Sequence, residues 1–103
     1  MIFDVSIVIP SYNERENIIP LLNRLLEACS DLGVECIVVD DDSPDRTWEL
    51  AQTKFEDNPR VRVIRRIENR GLGSAVVRGI KEARGSYVGV IDGDLQHPPR
   101  TRS

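Results

Sequence analysis

Four short apolar segments, rich in β-branched residues, recur along the chain and predict β-strands. They are VSIVI (5–9), VECIVV (34–39), VRVI (61–64) and YVGVI (87–91). None of them alternates cleanly between apolar and polar residues. Continuous apolar character is typical of strands that are covered on both faces, as in a parallel sheet.

The segments between these strands carry apolar residues at helical spacing and predict three α-helices. The first covers residues 18–32, with Asn17 as its N-cap; the second runs from residue 44 to about residue 56, with Ser43 as its N-cap; the third covers about residues 73–83. The order β-α-β-α-β-α-β predicts an α/β fold. Right-handed crossovers then place helices on both faces of a Rossmann-like, doubly wound, mostly parallel sheet.

The segments that follow the four strands are the expected ligand-binding part of such a fold, because open α/β sheets bind ligands at the carboxyl ends of their strands. These segments read PSYNE (10–14), DDDSPD (40–45), RRIENRG (65–71) and DGDLQHPP (92–99), and acidic residues recur in them. We therefore expect one rim of the sheet, lined with carboxylates, to hold the ligand.

The two acids of Asp92-Gly93-Asp94 are separated by one glycine at the end of the last strand. In an extended or turning segment both carboxylates can reach one cation, and hard oxygen ligands suit Mg²⁺ or Mn²⁺. Gln96 adds a further oxygen on the same loop. The simpler alternatives are a turn in which aspartate bonds its own backbone, and a plain surface amide at Gln96.

Asp40, Asp41 and Asp42 form a run of like charges that folding alone would not favour. Carboxylates here can accept hydrogen bonds from a nucleobase N–H or a ribose hydroxyl, and a cation can help to hold the cluster. The alternative is a solvated loop in which one acid caps the next helix.

The stretch RGLGS (70–74) resembles the start of a dinucleotide-binding glycine motif, but no glycine completes the motif and the stretch follows the third strand, not the first. It is either a flexible turn into a helix or a glycine-lined wall against a nucleotide or sugar, assisted by Arg66 or Arg70. The sequence has no P-loop motif.

Composition adds limits on the class of protein. The 103 residues suit one small domain or part of a larger one, and a net charge of −3 without a basic run gives no reason to expect nucleic acid as a partner. Cys29 and Cys36 lack CxxC spacing and are expected to be buried reduced thiols, which indicates a cytoplasmic protein. We expect neither a signal peptide nor a membrane-spanning segment in this sequence.

Taken together, these segments resemble the family 2 glycosyltransferases, and most closely their polyprenyl-phosphate (dolichyl-phosphate) mannosyltransferase branch. The stretches that carry the resemblance are VSIVIPSYNERENI (5–18), VVDDDSPDRTWE (38–49), RGLGSAVVRGIKEARG (70–85) and VIDGDLQHPP (90–99). They match only the N-terminal half of such an enzyme. The resemblance therefore implies that residues 1–99 form the nucleotide-sugar-binding (donor) half of a glycosyltransferase A-type fold.

The resemblance also implies a donor site. Asp41 would contact the base, with Asp42 nearby. Asp92, Asp94 and Gln96 would hold Mg²⁺ or Mn²⁺ against the donor's diphosphate, with Asp92 and Asp94 as the catalytic residues. The full set of expected substrate-binding residues is Pro10, Tyr12, Glu14, Asp41, Asp42, Arg70, Asp92, Asp94 and Gln96.

The implied reaction is metal-dependent transfer of mannose, with inversion, from GDP-mannose to a polyprenyl (dolichyl) phosphate. The alternatives are a glycosyltransferase that uses UDP-glucose or another nucleotide sugar, and a non-catalytic nucleotide-binding or signalling α/β module. The full-length protein is expected at the cytoplasmic face of a membrane.

The tail departs from the family pattern. Arg100 follows Pro98-Pro99 where the family usually has an acid that opens a helix, so residues 100–103 are interpreted as an atypical tail produced by truncation. The parts that the family uses to bind the acceptor would lie beyond it. We therefore expect this piece to bind donor weakly, to be inactive alone, and to be able to associate with itself.

Overall fold

A computed structural model describes residues 2–68 and 70–91 and shows the predicted alternation of strands and helices. The elements are β1 (Val5–Ser11), α1 (Ile18–Ala28), β2 (Val34–Asp40), α2 (Thr47–Lys54), β3 (Val61–Arg65), α3 (Leu72–Glu82) and β4 (Tyr87–Val90). The predicted α/β fold is confirmed, and each apolar segment forms the strand expected of it.

The strands form a four-stranded sheet in the order β3-β2-β1-β4, and every pairing among the described residues is parallel. The register places Ser11 opposite Asp40 and Asp40 opposite Arg65. Because all strands run the same way, their carboxyl ends meet along one edge of the sheet. The segments that follow β1, β2 and β3 therefore lie beside one another, as the sequence predicts.

Helices cover both faces of β1 and β2, which explains why these two strands carry apolar residues without alternation. The expected cover on both faces is wrong for β4, which is an outermost strand of the described sheet and leaves Tyr87, Val88 and Val90 exposed. On one face α1 and α2 pack against alternate strand residues, among them Ile7, Ile9 and Val38. On the other face α3 packs against Val8 and its neighbours on β2. A strand buried on both sides has no solvent-facing positions to make polar.

The contact between α3 and β1 depends on Gly79. A Cβ atom built on this glycine would lie 2.3 Å from Cγ1 and 2.9 Å from Cγ2 of Val8. Val8 is fully buried, so it has little room to move away. The helix backbone thus rests directly on a strand side chain, with Ala75 one turn earlier providing a second small contact residue.

A buried polar network closes the opposite, amino-terminal edge of the sheet. The carboxylate of Glu35, which has no exposed surface, accepts hydrogen bonds from the Ser6 hydroxyl at 2.6 Å and from the Arg84 N–H at 2.7 Å. The Arg62 guanidinium lies 3.8 Å from the second oxygen of Glu35, an electrostatic contact without a hydrogen bond. The Gly85 N–H donates to the Ser6 hydroxyl at 2.8 Å. This network fixes the turn from α3 into β4, and the position of β4 depends on that turn.

The predicted start of α2 is wrong, and side-chain hydrogen bonds explain why. The helix begins at Thr47, because residues 43–46 form a turn in which the Arg46 N–H donates to the Ser43 carbonyl at 2.9 Å and Arg46 adopts φ 61°. Ser43 is therefore not the N-cap; its hydroxyl donates to Asp40 instead. Asp45 does the capping, since it accepts from the Thr47 N–H at 3.0 Å.

The ends of α1 also differ from prediction. Asn17 is the N-cap residue, but its amide donates to the Glu14 carboxylate and makes no capping hydrogen bond. The helix ends at Ala28, four residues earlier than expected, and a turn continues from there to β2. Within the described residues no helix is long and apolar enough to cross a membrane.

Both cysteines are free thiols, as predicted, but only Cys36 is buried as expected. Cys36 lies on β2 with no exposed surface, and burial raises the pKa of its thiol to about 12. Cys29 is half-buried at the end of α1. The Cys36 thiol is therefore protonated and inert under ordinary conditions, which fits a packing role.

Candidate functional site

A cavity of about 140 Å³ opens at the carboxyl edge of the sheet, between the ends of β1 and β2 and the start of α3. Its lining residues are Pro10, Ser11, Tyr12, Glu14, Asp41, Leu72 and Ala75. Four of the predicted substrate-binding residues thus meet in one place: Pro10 at the end of β1, Tyr12 and Glu14 in the loop after it, and Asp41 in the loop after β2. Whole small-molecule sites usually measure roughly 300–1,000 Å³, so this cavity suits one part of a larger ligand.

Asp41 is the acid of the triplet that faces this cavity, and Arg66 holds it. The guanidinium of Arg66 pairs with the Asp41 carboxylate at 2.7 Å, and the Gly71 N–H donates to the other carboxylate oxygen at 2.8 Å. Arg66 also donates to the Ser74 hydroxyl at 2.6 Å and to the Gly71 carbonyl at 3.0 Å. One arginine therefore joins the loop after β2 to the loop that opens α3.

Arg66 neutralises the charge of Asp41, but the Asp41 carboxylate keeps hydrogen-bond acceptor positions that the described part of the chain does not fill. A carboxylate offers about four lone-pair sites to hydrogen-bond donors. The two protein donors fix its orientation, and the remaining sites can accept N–H groups of a ligand. Arg66 is nearly buried, whereas Asp41 keeps some exposure to the cavity.

The three acids of the triplet diverge, so they do not form one anionic cluster. Asp40 is buried and accepts from the hydroxyls of Ser11 and Ser43, each at 2.7 Å. Asp42 adopts φ 55° and pairs with Arg65 at 2.7 Å. Arginine and hydroxyl partners relieve the repulsion that suggested a cation at this point. Among the residues that the structure describes, no group of three or more His, Cys, Asp or Glu side chains is arranged to hold a metal ion.

The loop after β1 is tied to the loop after β2 by backbone hydrogen bonds to hydroxyls. The Asn13 N–H donates to the Ser43 hydroxyl at 2.9 Å, and the Glu14 N–H donates to the Thr47 hydroxyl at 3.0 Å. Asn13 has φ 55°, which turns the chain so that Tyr12 and Glu14 reach the cavity. Ser43 and Thr47 thus shape the site without lining it.

The RGLGS segment forms the predicted turn into a helix, with Gly71 as the N-cap residue of α3, and part of it also contacts the cavity. Leu72 and Ala75 line the cavity, while Gly71, at φ 130°, supplies its N–H to Asp41. Arg70 is exposed, and its guanidinium donates to the Asp41 backbone carbonyl at 3.3 Å. Asp42 and Arg70, both predicted to bind substrate, therefore border the cavity without lining it.

Asp92, Asp94 and Gln96 lie outside the described residues, so their roles as catalytic residues and metal ligands stay predictions. The last described residue, Ile91, donates its N–H to the Val8 carbonyl at 2.9 Å. This bond continues the β4 pairing toward the carboxyl edge, and Asp92 is the next residue in the sequence.

Comparison with known proteins identifies the class to which this fold and site belong. The family model for glycosyl transferase family 2 matches residues 6–102, and the chain therefore belongs to that family. Glycosyltransferases with the GT-A fold are its structural neighbours.

Particular relatives narrow the resemblance. A dolichol-phosphate mannosyltransferase of Pyrococcus furiosus is 57% identical over 95 residues, which are 92% of this chain and 27% of that protein. A dolichol-phosphate mannosyltransferase of Saccharomyces cerevisiae is 41% identical over 98% of this chain and 39% of that protein. The chain thus spans well under half the length of these relatives.

A solved structure supports the same placement. The mannosyltransferase from Pyrobaculum calidifontis in complex with GDP-Man and Mn²⁺ superposes with a TM-score of 0.77 at 28% identity, over 91% of this chain and 28% of that one. The predicted family and fold are confirmed by these matches.

Proposed function

We propose that this chain is the donor-binding part of a metal-dependent, inverting glycosyltransferase that moves mannose from GDP-mannose to a polyprenyl (dolichyl) phosphate. The observation that carries the proposal is the cavity where Pro10, Tyr12, Glu14 and Asp41 meet at the carboxyl edge of the sheet. The names of the Pyrococcus and Saccharomyces relatives and the ligand of the Pyrobaculum structure support the choice of sugar, nucleotide and acceptor.

Asp41 is the proposed partner of the nucleobase. A guanine presents a ring N–H and an amino group side by side, and these two donors match the two oxygens of a carboxylate. The ion pair with Arg66 holds that carboxylate in place before the ligand arrives. A uracil offers one ring N–H to the same acceptor, so the site should favour GDP over UDP.

The reaction breaks the bond between sugar C1 and the donor's diphosphate and forms a bond from C1 to an acceptor phosphate oxygen on the opposite face. GDP leaves with the bonding electrons, and the configuration at C1 inverts. Asp92, Asp94 and Gln96 would hold Mg²⁺ or Mn²⁺, which supplies charge stabilisation for the leaving diphosphate. A phosphate monoester is already largely anionic at pH 7, so the acceptor needs no strong general base.

The acceptor is proposed to bind to parts of the longer protein, since the chain spans 27% of its Pyrococcus relative. We therefore expect donor binding but no transfer from this chain alone. A lipid phosphate acceptor also places the reaction at a membrane surface, which we propose to be the cytoplasmic face.

The test is a titration of the isotope-labelled chain followed by amide NMR, with GDP-mannose, GDP and UDP-glucose, each with and without Mg²⁺. We expect GDP compounds to bind more tightly than UDP-glucose, and Mg²⁺ to increase their affinity. Asp92→Ala with Asp94→Ala should remove the Mg²⁺ effect. The matched control, Asp31→Ala with Asp57→Ala, removes two exposed acids elsewhere and should keep it. Equal binding with and without Mg²⁺ in the unmodified chain would contradict the metal assignment.

A further inference from the structure

Positive charge is concentrated in one part of this acidic protein. Residues 60–85 contain eight of the 14 basic residues and two of the 17 acidic ones, although the chain as a whole carries a net charge of −3. This stretch runs from β3 through α3. Four of these eight basic residues come together at one groove, and the overall composition does not reveal this local grouping.

A groove of about 900 Å³ lies between the end of β3 and α3, and its charged lining consists of four basic residues and one acid, Glu68. Arg65, Arg66, Arg78 and Lys81 line it. Arg65 and Arg66 pair with acids of the loop after β2, whereas Arg78 pairs with Glu82 at 3.1 Å and keeps 46% of its side chain exposed. Arg78 and Lys81 thus present charge to an external partner without belonging to the donor cavity.

Apolar side chains lie among these cations and face solvent. Ile67 is 64% exposed and Val77 is 51% exposed, and both line the groove. The helix buries Ala75 and Gly79 toward the sheet, so Val77 and Ile80 lie on its outer side. Exposed aliphatic residues mixed with arginine and lysine are typical of surfaces that rest on a bilayer, where the cations meet headgroups and the aliphatic residues enter the interface.

We propose that this groove, together with the outer side of α3, is the surface that the protein lays on an anionic membrane. Headgroup phosphates would pair with Arg78 and Lys81, and Ile67 and Val77 would enter the headgroup boundary. A single-stranded nucleic acid is disfavoured because the groove lacks the aromatic platforms on which bases stack, among the residues described as lining it.

The groove lies next to the donor cavity. Arg66 lines the groove and pairs with Asp41 in the cavity, while Ser74 lines the groove and the adjacent Ala75 lines the cavity. The inference rests on the proposed function in one respect: a lipid phosphate acceptor stays in the bilayer, so the donor site must approach it. Docking through this groove would bring the cavity to the membrane surface.

The test is co-sedimentation of the chain with vesicles of phosphatidylcholine alone or of phosphatidylcholine with phosphatidylglycerol. We expect binding to the anionic vesicles only, and loss of binding when salt rises from about 0.1 M to about 1 M, which shortens the screening length from about 10 to about 3 Å. Arg78→Gln with Lys81→Gln should weaken partitioning on the order of 30-fold, about fivefold for each basic residue.

The matched control is Arg24→Gln with Lys54→Gln, which removes the same charge from exposed positions on α1 and α2 and should change partitioning far less. Equal effects of the two double variants would overturn the proposal, as would no preference for anionic vesicles. If inorganic phosphate releases the protein from vesicles more than chloride of equal ionic strength does, the groove is a phosphate site instead. If the protein prefers single-stranded DNA, the groove binds nucleic acid. Either result overturns the membrane proposal. The Arg78 and Lys81 variant should bind GDP-mannose normally. A loss of vesicle binding can therefore be told apart from a loss of donor binding.

Discussion

Asp41 and Arg66 form an ion pair with little access to solvent, at 14% and 6% side-chain exposure. An arginine in such a place needs its partner, because removing one member of a buried pair leaves an uncompensated charge. The same pair orients the carboxylate that we assign to the nucleobase. Both the stability of the fold and the proposed binding of the base therefore depend on Asp41. A single and a double variant can separate these two effects.

Asp41→Ala should lower the free energy of unfolding by about 3–5 kcal/mol, the usual result of breaking a buried pair. Asp41→Ala combined with Arg66→Met should recover most of that loss, since the second change removes the unpaired charge. Urea denaturation measures both. Binding of GDP-mannose should stay weak in the double variant if Asp41 contacts the base. Recovered binding would show that Asp41 acts on stability alone, and Asp57→Ala serves as an exposed-acid control.

The Cys36 thiol gives a prediction about pH. Its pKa is about 12 in the folded chain against 9.0 for an ordinary thiol, because burial disfavours the thiolate. Between these values the folded state keeps a proton that the unfolded chain has lost, so the free energy of unfolding falls as pH rises. The stabilising contribution of the protonated Cys36 thiol is fully present below pH 9. Above pH 9 the free energy of unfolding falls by about 1.4 kcal/mol for each pH unit.

Cys36→Ala separates this effect from other titrations at high pH. The variant should be less stable at neutral pH because it loses packing, yet its stability should fall less steeply above pH 9 than that of the unmodified chain. Thermal unfolding at several pH values measures the difference between the two slopes. Parallel curves would mean that burial does not perturb the thiol.

At the scale of elements, the close contact between α3 and β1 sets where the helix and its preceding loop lie. Gly79→Ala would place a methyl group within 2.3 Å of Val8 Cγ1. Overpacking of this kind usually costs about 1–3 kcal/mol, which exceeds the gain of up to about 1 kcal/mol from better helix propensity. We therefore expect Gly79→Ala to lower the free energy of unfolding in a urea titration.

Gly73→Ala is the matched control, because Gly73 lies in the same helix and a methyl group added there would meet nothing within 4 Å. This change should leave stability unchanged or raise it slightly. Adding Val8→Ala to Gly79→Ala should cause less loss than the two single changes added together, since the smaller residue makes room. Additive losses would show that the helix does not rest on Val8.

The strands and the order of elements could be predicted because apolar β-branched runs separated by helical patterns have few other solutions. The helix starts could not, because they depend on which side chains bond to the loop backbone: Ser43 turns back to Asp40, and Asp45 caps Thr47 in its place. The role of Glu35 could not be predicted either, because the sequence does not show which groups this acid bonds to. It lies within the apolar run of β2 and belongs to a buried polar network.

The candidate site was predictable in part for a related reason. Pro10 lies at the end of β1, Tyr12 and Glu14 follow it, and Asp41 follows β2; the parallel sheet brings these strand ends together. The divergence of Asp40, Asp41 and Asp42 was not predictable, since adjacent acids look alike in a sequence until their partners are known. Arg66 could be named as a helper, but its burial and its ties to Asp41 and Ser74 required the structure.

At the scale of the whole molecule, the two edges of the sheet have different roles. The amino-terminal edge is closed by the network around Glu35, which holds the turn into β4. At the carboxyl edge, residues 2–68 and 70–91 place the small cavity on one side of Arg66 and the basic groove on the other. The proposed donor site and the proposed membrane surface therefore lie next to each other and share Arg66.

The central claim is that the donor binds at the carboxyl edge, and the most direct measurement is a map of the amide resonances that shift during titration with GDP-mannose and Mg²⁺. We expect the largest shifts within residues 11–14, 41–42 and 71–75, which lie in or beside the cavity. Amides of α2, such as those of Ala51 and Lys54, should not respond. Shifts centred on α2, or no shifts at saturating donor, would contradict the account.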